Sequence, residues 1–383
     1  MDQPATVVFL LSVTLLLYVL FGYPLLLFIR SRGGGQAVRK ELQRRTVSIV
    51  LPVHNGEPWI REKLHSILNL NYPRDLLEIV VISDGSSDRT DEYVRGFESQ
   101  GVQLIRIPRS GKAAALNAGM ERAGGEILFF TDVRQILEKD SLRDLVSCFA
   151  DPRVGVVSGE LVIRSGATRG EEDVGLYWRY EKMIRKRLTR IDSIMGATGA
   201  IYAMRRQLAV RLPKNILLDD VYLPLAAFFS GYRLILEENA KAYDYPTSLK
   251  VEFRRKVRTL AGVYQIIGAY PALLSPSNRM WLDFISHKLA RLLLPYVLLL
   301  IAVSSFGLPD PWRTIMLSGQ AVFYALAGLD SWIPERFLLK RISSPIKTFV
   351  VLVAAAFCAA SILIVPSSTL WKTTRAGSAK PAL

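Results

Sequence analysis

Several short stretches of this sequence hold carboxylates and cations in patterns that can do chemistry. Glu126-Ile-Leu-Phe-Phe-Thr-Asp132-Val-Arg134-Gln135 is an apolar, aromatic run that ends abruptly in a carboxylate and a guanidinium. Asp132 at such a point can hold a metal ion or a sugar hydroxyl, and Arg134 can hold a diphosphate. Asp84 lies in Ser83-Asp-Gly-Ser-Ser-Asp88, either as an ordinary turn former or as an acceptor for a nucleobase imide and a ribose. Ser110-Gly-Lys112, followed by Asn117, puts an ammonium beside the free N–H groups of a helix start, a place suited to phosphate. Leu217-Leu-Asp219-Asp220 offers two adjacent acids. They either cap a helix beginning near Val221 or supply a general base beside a cationic site. Just upstream, Met195-Gly-Ala-Thr-Gly199-Ala has the small residues that let a backbone approach a ligand closely. Arg255 and Arg258, three apart, share one helix face. They can clamp a diphosphate or bind lipid headgroups, and charge alone favours the headgroups.

The elements around these residues alternate. Val47–Val53, 77–82, Val102–Ile107 and Ile127–Phe130 read as strands, and 57–70, 88–97 and Lys112–Arg122 as helices between them. The pattern predicts a doubly wound, largely parallel α/β sheet. In open sheets of this kind ligands bind at the carboxyl ends of the strands, which is where Asp84 and Asp132 fall. Residues 154–162 add a strand and 173–190 a long helix.

Residues 3–29 carry no charge and are long enough to cross a bilayer. The start Met1-Asp2 lacks the basic residues of a signal peptide. Arg30, Arg32, Arg39, Lys40, Arg44 and Arg45 follow at once, which places the next domain in the cytoplasm by the positive-inside rule. Residues 261–274, broken by Gly268 and Pro271 after a basic run, suit a helix in the membrane interface. Residues 289–306, 315–329 and 349–365 are three further membrane candidates. The net charge of +15 asks for an acidic partner. With membrane segments present that partner is a lipid surface or a phosphorylated substrate, and no nucleic-acid-binding motif is found. Cys148 and Cys358 form no CxxC pair and no disulfide framework. A transporter is a poor reading, because no trailing segment has an acid near its middle.

In their order, these motifs resemble the family 2 inverting glycosyltransferases with a GT-A catalytic domain. The nearer likeness is to the membrane-integrated branch that contains cellulose, chitin and hyaluronan synthases. The resemblance runs from Val47 to Thr259. It implies that Asp84 contacts the nucleotide base, that Lys112 lies near the donor, and that Asp132 is the first acid of the Asp-X-Asp motif. That acid holds Mg2+ or Mn2+ and the donor diphosphate. It further implies that Asp220 is the general base, with Asp219 and Gly199 on the acceptor side, and that Arg255 and Arg258 occupy the Gln-X-X-Arg-Trp motif. Trp371-Lys-Thr-Thr-Arg375 resembles the gating motif that closes over the donor. Two positions depart from the pattern: Arg134 replaces the second acid of Asp-X-Asp, and Thr259 replaces the acceptor-stacking Trp.

The organisation expected is a transmembrane helix (1–30), a basic tether (31–46) and a cytoplasmic GT-A domain (47–250). Amphipathic interface helices (251–285), transmembrane segments (286–367) and a cytoplasmic tail (368–383) follow. Three trailing crossings would leave that tail outside, so one apolar segment is expected to be interfacial or re-entrant. The expected activity is transfer from a UDP-sugar to a lipid or growing polysaccharide, at a bacterial inner membrane, with room for an oligomer. The alternative is a non-catalytic subunit that binds nucleotide or glycan.

Overall fold

A computed structural model describes residues 3–163, 169–245 and 249–366. The chain divides into two compact units. Of the described residues, the first comprises 33–163 and 185–245; the second comprises 3–32, 169–184 and 249–366.

The first unit is built on one sheet. Its strands are β1 (Val47–Val53), β2 (Leu77–Asp84), β3 (Val102–Ile107), β4 (Ile127–Phe130), β5 (Ile136–Leu137), β6 (Val154–Ile163), β7 (Tyr202–Arg205) and β8 (Arg233–Asp244). They lie in the order β3-β2-β1-β4-β7-β6-β8-β5. β1 pairs in parallel with β2 and β4, and β2 with β3, as the sequence pattern predicts. Beyond β4 the sheet is mixed. β7 runs antiparallel to β4 and β6, β6 is parallel to β8, and β5 is antiparallel to β8. The short β7, Tyr-Ala-Met-Arg, follows a run of small residues that carries no strand signal of its own, so the sequence hides it.

Every residue of β1 and β4 is buried, which explains their unbroken apolar runs. Ile49, Leu51, Ile127 and Phe129 face a core that also takes Ile60, Leu64 and Ile67 from the helix Ile60–Leu68. The helix Lys112–Arg122 covers the other face. Its small residues have a reason: a Cβ at Gly119 would stand 2.5 Å from Val50 Cγ1 and 2.7 Å from Ile82 Cδ1. That helix must lie almost on the sheet.

Among the described residues of the second unit, three helices are long and apolar enough to cross a membrane: Pro4–Arg30, Trp281–Ser305 and Lys340–Leu363. The helix Trp312–Leu329, expected as another membrane segment, is not among them. Arg313, Ser318 and Gln320 interrupt its apolar character. Arg30 pairs with the buried Asp283 at 2.8 Å and so joins two of the apolar helices, and Arg291 pairs with Glu181 of the charged helix Arg169–Ile191.

The tight approach of Gly125 to β1 makes a test of this packing. A Cβ there would meet Ser48 N at 2.6 Å and the Val47 carbonyl carbon at 2.8 Å, both backbone atoms that cannot rotate away. At the neighbouring Gly124 the nearest atom is 3.9 Å distant. Gly125→Ala is expected to destabilise the sheet by about 1–3 kcal/mol. Gly124→Ala should leave the thermal midpoint nearly unchanged, with both read by thermal denaturation.

Candidate active site

Parallel pairing delivers the ends of β2 and β4 to one edge of the sheet. Asp84 closes β2 and is 2% exposed. Its Oδ1 accepts the backbone N–H of Ser110 at 2.6 Å and that of Gly111 at 3.1 Å, and Oδ2 accepts the Gly111 N–H at 3.0 Å. The Arg109 guanidinium pairs with the same carboxylate. Asp84 therefore orders the turn that launches the helix Lys112–Arg122. Gly111 takes φ +94° there, a backbone angle that favours glycine. Asn117 likewise serves the fold: its side chain holds both the N–H and the C=O of Leu212, at 2.8 and 2.9 Å.

Lys112, first in that helix, reaches across to the next strand ends. Its Nζ lies 3.0 Å from Asp132 Oδ1 and 3.1 Å from Asp219 Oδ2. Asp219 and Asp220 are the first residues of the helix Asp219–Phe229, and neither acts as its N-cap, which is Leu218. Asp220 Oδ2 accepts the Gly199 N–H at 2.9 Å. Gly199 marks the point of convergence. A Cβ placed on it would stand 3.3 Å from Asp220 Oδ2, 3.4 Å from Asp132 Oδ2 and 3.6 Å from Lys112 Nζ.

The electrostatics follow from this crowding. Burial by itself would depress the Lys112 ammonium, but Asp132, Asp219 and Asp220 outweigh it and hold its pKa above the ordinary lysine value. Burial, reinforced by the Asp219 carboxylate, pushes Asp220 up to about 6, against the opposing pull of Lys112 and the Gly199 N–H. Asp220 is thus a carboxylate of raised basicity, and it is the one Lys112 does not directly bind.

Arg134 is turned to a structural use. Its guanidinium pairs with Asp244, which is 1% exposed and also accepts Gln135 Nε2 at 2.9 Å. Asp132 is left as the motif's carboxylate at the cleft. Among the described residues, no group of three or more His, Cys, Asp or Glu side chains is arranged to hold a metal ion. A single carboxylate, with Oδ1 on Lys112 and Oδ2 toward Gly199, instead fits a hard cation shared with substrate phosphates.

Three further residues shape the site. Arg185 donates to Thr198 Oγ1 and Ser158 Oγ, both at 2.7 Å, and so braces the segment ahead of Gly199. Lys63 donates to Thr131 Oγ1 and the Gln135 carbonyl, both at 2.6 Å, behind Asp132. Tyr202 is fully buried beside Phe130, with a hydroxyl that has no hydrogen-bond partner among the described residues, close enough to Asp219, Asp220 and Asp132 to feel their charge. Of these, Lys63 had a sequence signal: a lysine on the apolar stripe Ile60, Leu64, Ile67. Arg185, in a helix rich in basic residues, had none. Arg255 and Arg258 lie on the helix Leu249–Ala269 of the other unit, where Arg255 pairs with the buried Glu252 at 3.2 Å. Trp371 and Arg375 lie outside the described residues.

Known proteins resemble this chain in sequence and in fold. Residues 48–212 match the family described as Glycosyl transferase family 2. The Bacillus subtilis protein named "Probable glycosyltransferase YdaM" is 29% identical over 245 residues, which are 60% of this chain and 57% of that protein. The poly-beta-1,6-N-acetyl-D-glucosamine synthase of Staphylococcus aureus is 24% identical over 229 residues, 58% of this chain and 55% of the synthase. The match thus spans little more than half the length of these relatives. Among solved structures, a mannosyltransferase from Pyrobaculum calidifontis superimposes with a TM-score of 0.72 at 22% identity, covering 93% of this chain and 99% of that one. Residues 48–212 thus match the family 2 glycosyltransferase domain, and the fold is of the GT-A type that the resemblance implies.

Gly199 gives the sharpest geometric test. Gly199→Ala meets side-chain oxygens and an ammonium rather than backbone, so the protein should fold with an unchanged thermal midpoint. The methyl group would press on Asp220 Oδ2 and Asp132 Oδ2 and touch Lys112 Nζ. Sugar-transfer activity is expected to fall by about 100-fold, the order that a misplacement of about 1 Å costs.

Proposed function

We propose that this protein is a membrane-anchored inverting glycosyltransferase that moves a sugar from a nucleoside-diphosphate donor, a UDP-sugar first among them, to an acceptor hydroxyl. The observation that carries the reading is the convergence at Gly199 of one cation-held acid, Asp132, one ammonium, Lys112, and one acid of raised pKa, Asp220. The family 2 domain supports it. So does the Pyrobaculum mannosyltransferase, whose structure is a complex with GDP-Man and Mn2+.

In this mechanism Asp220 takes the proton from the acceptor hydroxyl as its oxygen bonds to the anomeric carbon. The bond from that carbon to the diphosphate breaks on the opposite face, so the configuration inverts. Lys112 stabilises the leaving diphosphate where its charge develops. Asp132 would hold Mg2+ or Mn2+ together with the donor phosphates, and the ion would supply further positive charge to the leaving group. Asp84 orders the 109–111 turn from which the Lys112 helix starts. Asp219 keeps Lys112 in place, and Gly199 leaves room for the acceptor.

The membrane helices support a lipid or a growing polysaccharide as the acceptor. Arg255 and Arg258, on a basic helix, suit either the donor diphosphate or lipid headgroups. Crossings at Pro4–Arg30, Trp281–Ser305 and Lys340–Leu363, with Trp312–Leu329 at the surface, are consistent with a cytoplasmic catalytic domain.

The test is nucleoside diphosphate release by the full chain in nanodiscs, with UDP- and GDP-sugars, Mn2+ or Mg2+, and lipid extract. Asp220→Asn should lower release by about 10²–10⁴-fold, the usual contribution of a general base. Because the base must be ionised, kcat/KM should rise with pH up to about 6 and level off above it. A wild-type protein that binds nucleotide yet releases none from any donor would instead indicate a non-catalytic subunit.

A further inference from the structure

Lys63 has no place in the mechanism above, yet its setting is unusual. It lies on the buried stripe of the helix Ile60–Leu68 and is 0% exposed. Among the described residues its ammonium forms no ion pair; its hydrogen bonds go to a hydroxyl and a carbonyl. Removing an ammonium from water without a partnered carboxylate is costly, and burial pushes the group down to about 7, with Asp132 the charge that opposes this fall. A buried cation held at such a cost invites a functional explanation.

Its two acceptors belong to the ends of one short segment. Thr131 precedes Asp132, and Gln135 follows Arg134, so the ammonium clasps the whole turn that presents Asp132. Thr131 Oγ1 accepts from Lys63 and donates its own hydrogen to the Ala200 carbonyl at 2.7 Å. Ala200 follows Gly199, whose N–H holds Asp220 Oδ2 at 2.9 Å. A continuous chain of contacts therefore runs Lys63–Thr131–Ala200–Gly199–Asp220. It joins the donor-side acid to the acceptor-side acid from behind.

We infer that Lys63 is a positioning residue, whose ammonium sets the Asp132 turn and the Gly199–Ala200 segment in register through the Thr131 hydroxyl. The inference rests on the transferase reading for its purpose but not for its test. Lys63→Met, which keeps the length of the side chain and removes its donors, and Thr131→Val, which removes the relay, are compared with the wild type and the double variant. The probes are binding of UDP with Mn2+ and hydrogen exchange of the backbone.

Lys63→Met should weaken UDP–Mn2+ binding by about tenfold or more. It should also speed exchange in both 131–136 and 199–203, while distant strands such as β3 keep their protection. Thr131→Val should speed exchange in 199–203, and adding it to Lys63→Met should bring little further change, since both cut the same chain. Unchanged affinity with unchanged exchange, or fully additive effects of the two substitutions, would overturn the inference. If Lys63→Met does not fold, Thr131→Val decides: unaltered exchange at 199–203 would overturn the inference. A wild type that binds neither UDP nor GDP would count against the transferase reading, while the exchange pattern would still test Lys63.

Discussion

Asp132, Asp219 and Asp220 meet at one edge of the sheet and repel one another, and the Lys112 ammonium offsets that repulsion. Lys112 sits 3.0 Å from Asp132 and 3.1 Å from Asp219, and their charges keep it protonated despite its loss of water. Most of the surrounding architecture serves this contact. Asp84 commits its oxygens to the turn that starts the Lys112 helix, and Gly119 lets that helix lie close on β1 and β2. The helix Asp219–Phe229 brings two acids in succession, so that one neutralises Lys112 while the other stays basic. That division of labour gives two chemically different carboxylates from adjacent residues.

Much of this was legible before the fold was known. The strand–helix alternation gave the parallel half of the sheet, and the helix Lys112–Arg122 begins and ends where its small residues and flanking glycines place it. Of the mixed half, the strand at 154–162 was legible, whereas β5, β7 and β8 were not. β7 is four residues long and draws its pairing from β4 and β6, partners that local pattern does not reveal. Asp84 illustrates a subtler limit. An acid in a Ser-Asp-Gly turn reads as a ligand contact or a turn former, and its tertiary partners show how much of its carboxylate the turn consumes.

Arg134 was the clearest departure from the expected motif, and the structure supplies its local reason. It pairs with Asp244 at the end of β8, and Gln135 binds the same oxygen. The turn that carries Asp132 is therefore tied on one side to Asp244 and on another to Lys63. A second acid in the motif's usual place would face Asp244, and like charges in a buried site are costly. Arginine at 134 and aspartate at 244 thus form a matched pair that firms the turn and leaves Asp132 alone at the cleft.

In the proposed mechanism Asp132 serves the donor and Asp220 the acceptor, and nucleotide binding separates the two most directly. Titration calorimetry of UDP or GDP with Mn2+ into the wild type, Asp132→Asn and Asp220→Asn would measure it. The account predicts that Asp132→Asn weakens nucleotide binding by about tenfold or more, while Asp220→Asn binds nearly as the wild type does. Equal losses in both variants, or a loss confined to Asp220→Asn, would contradict it.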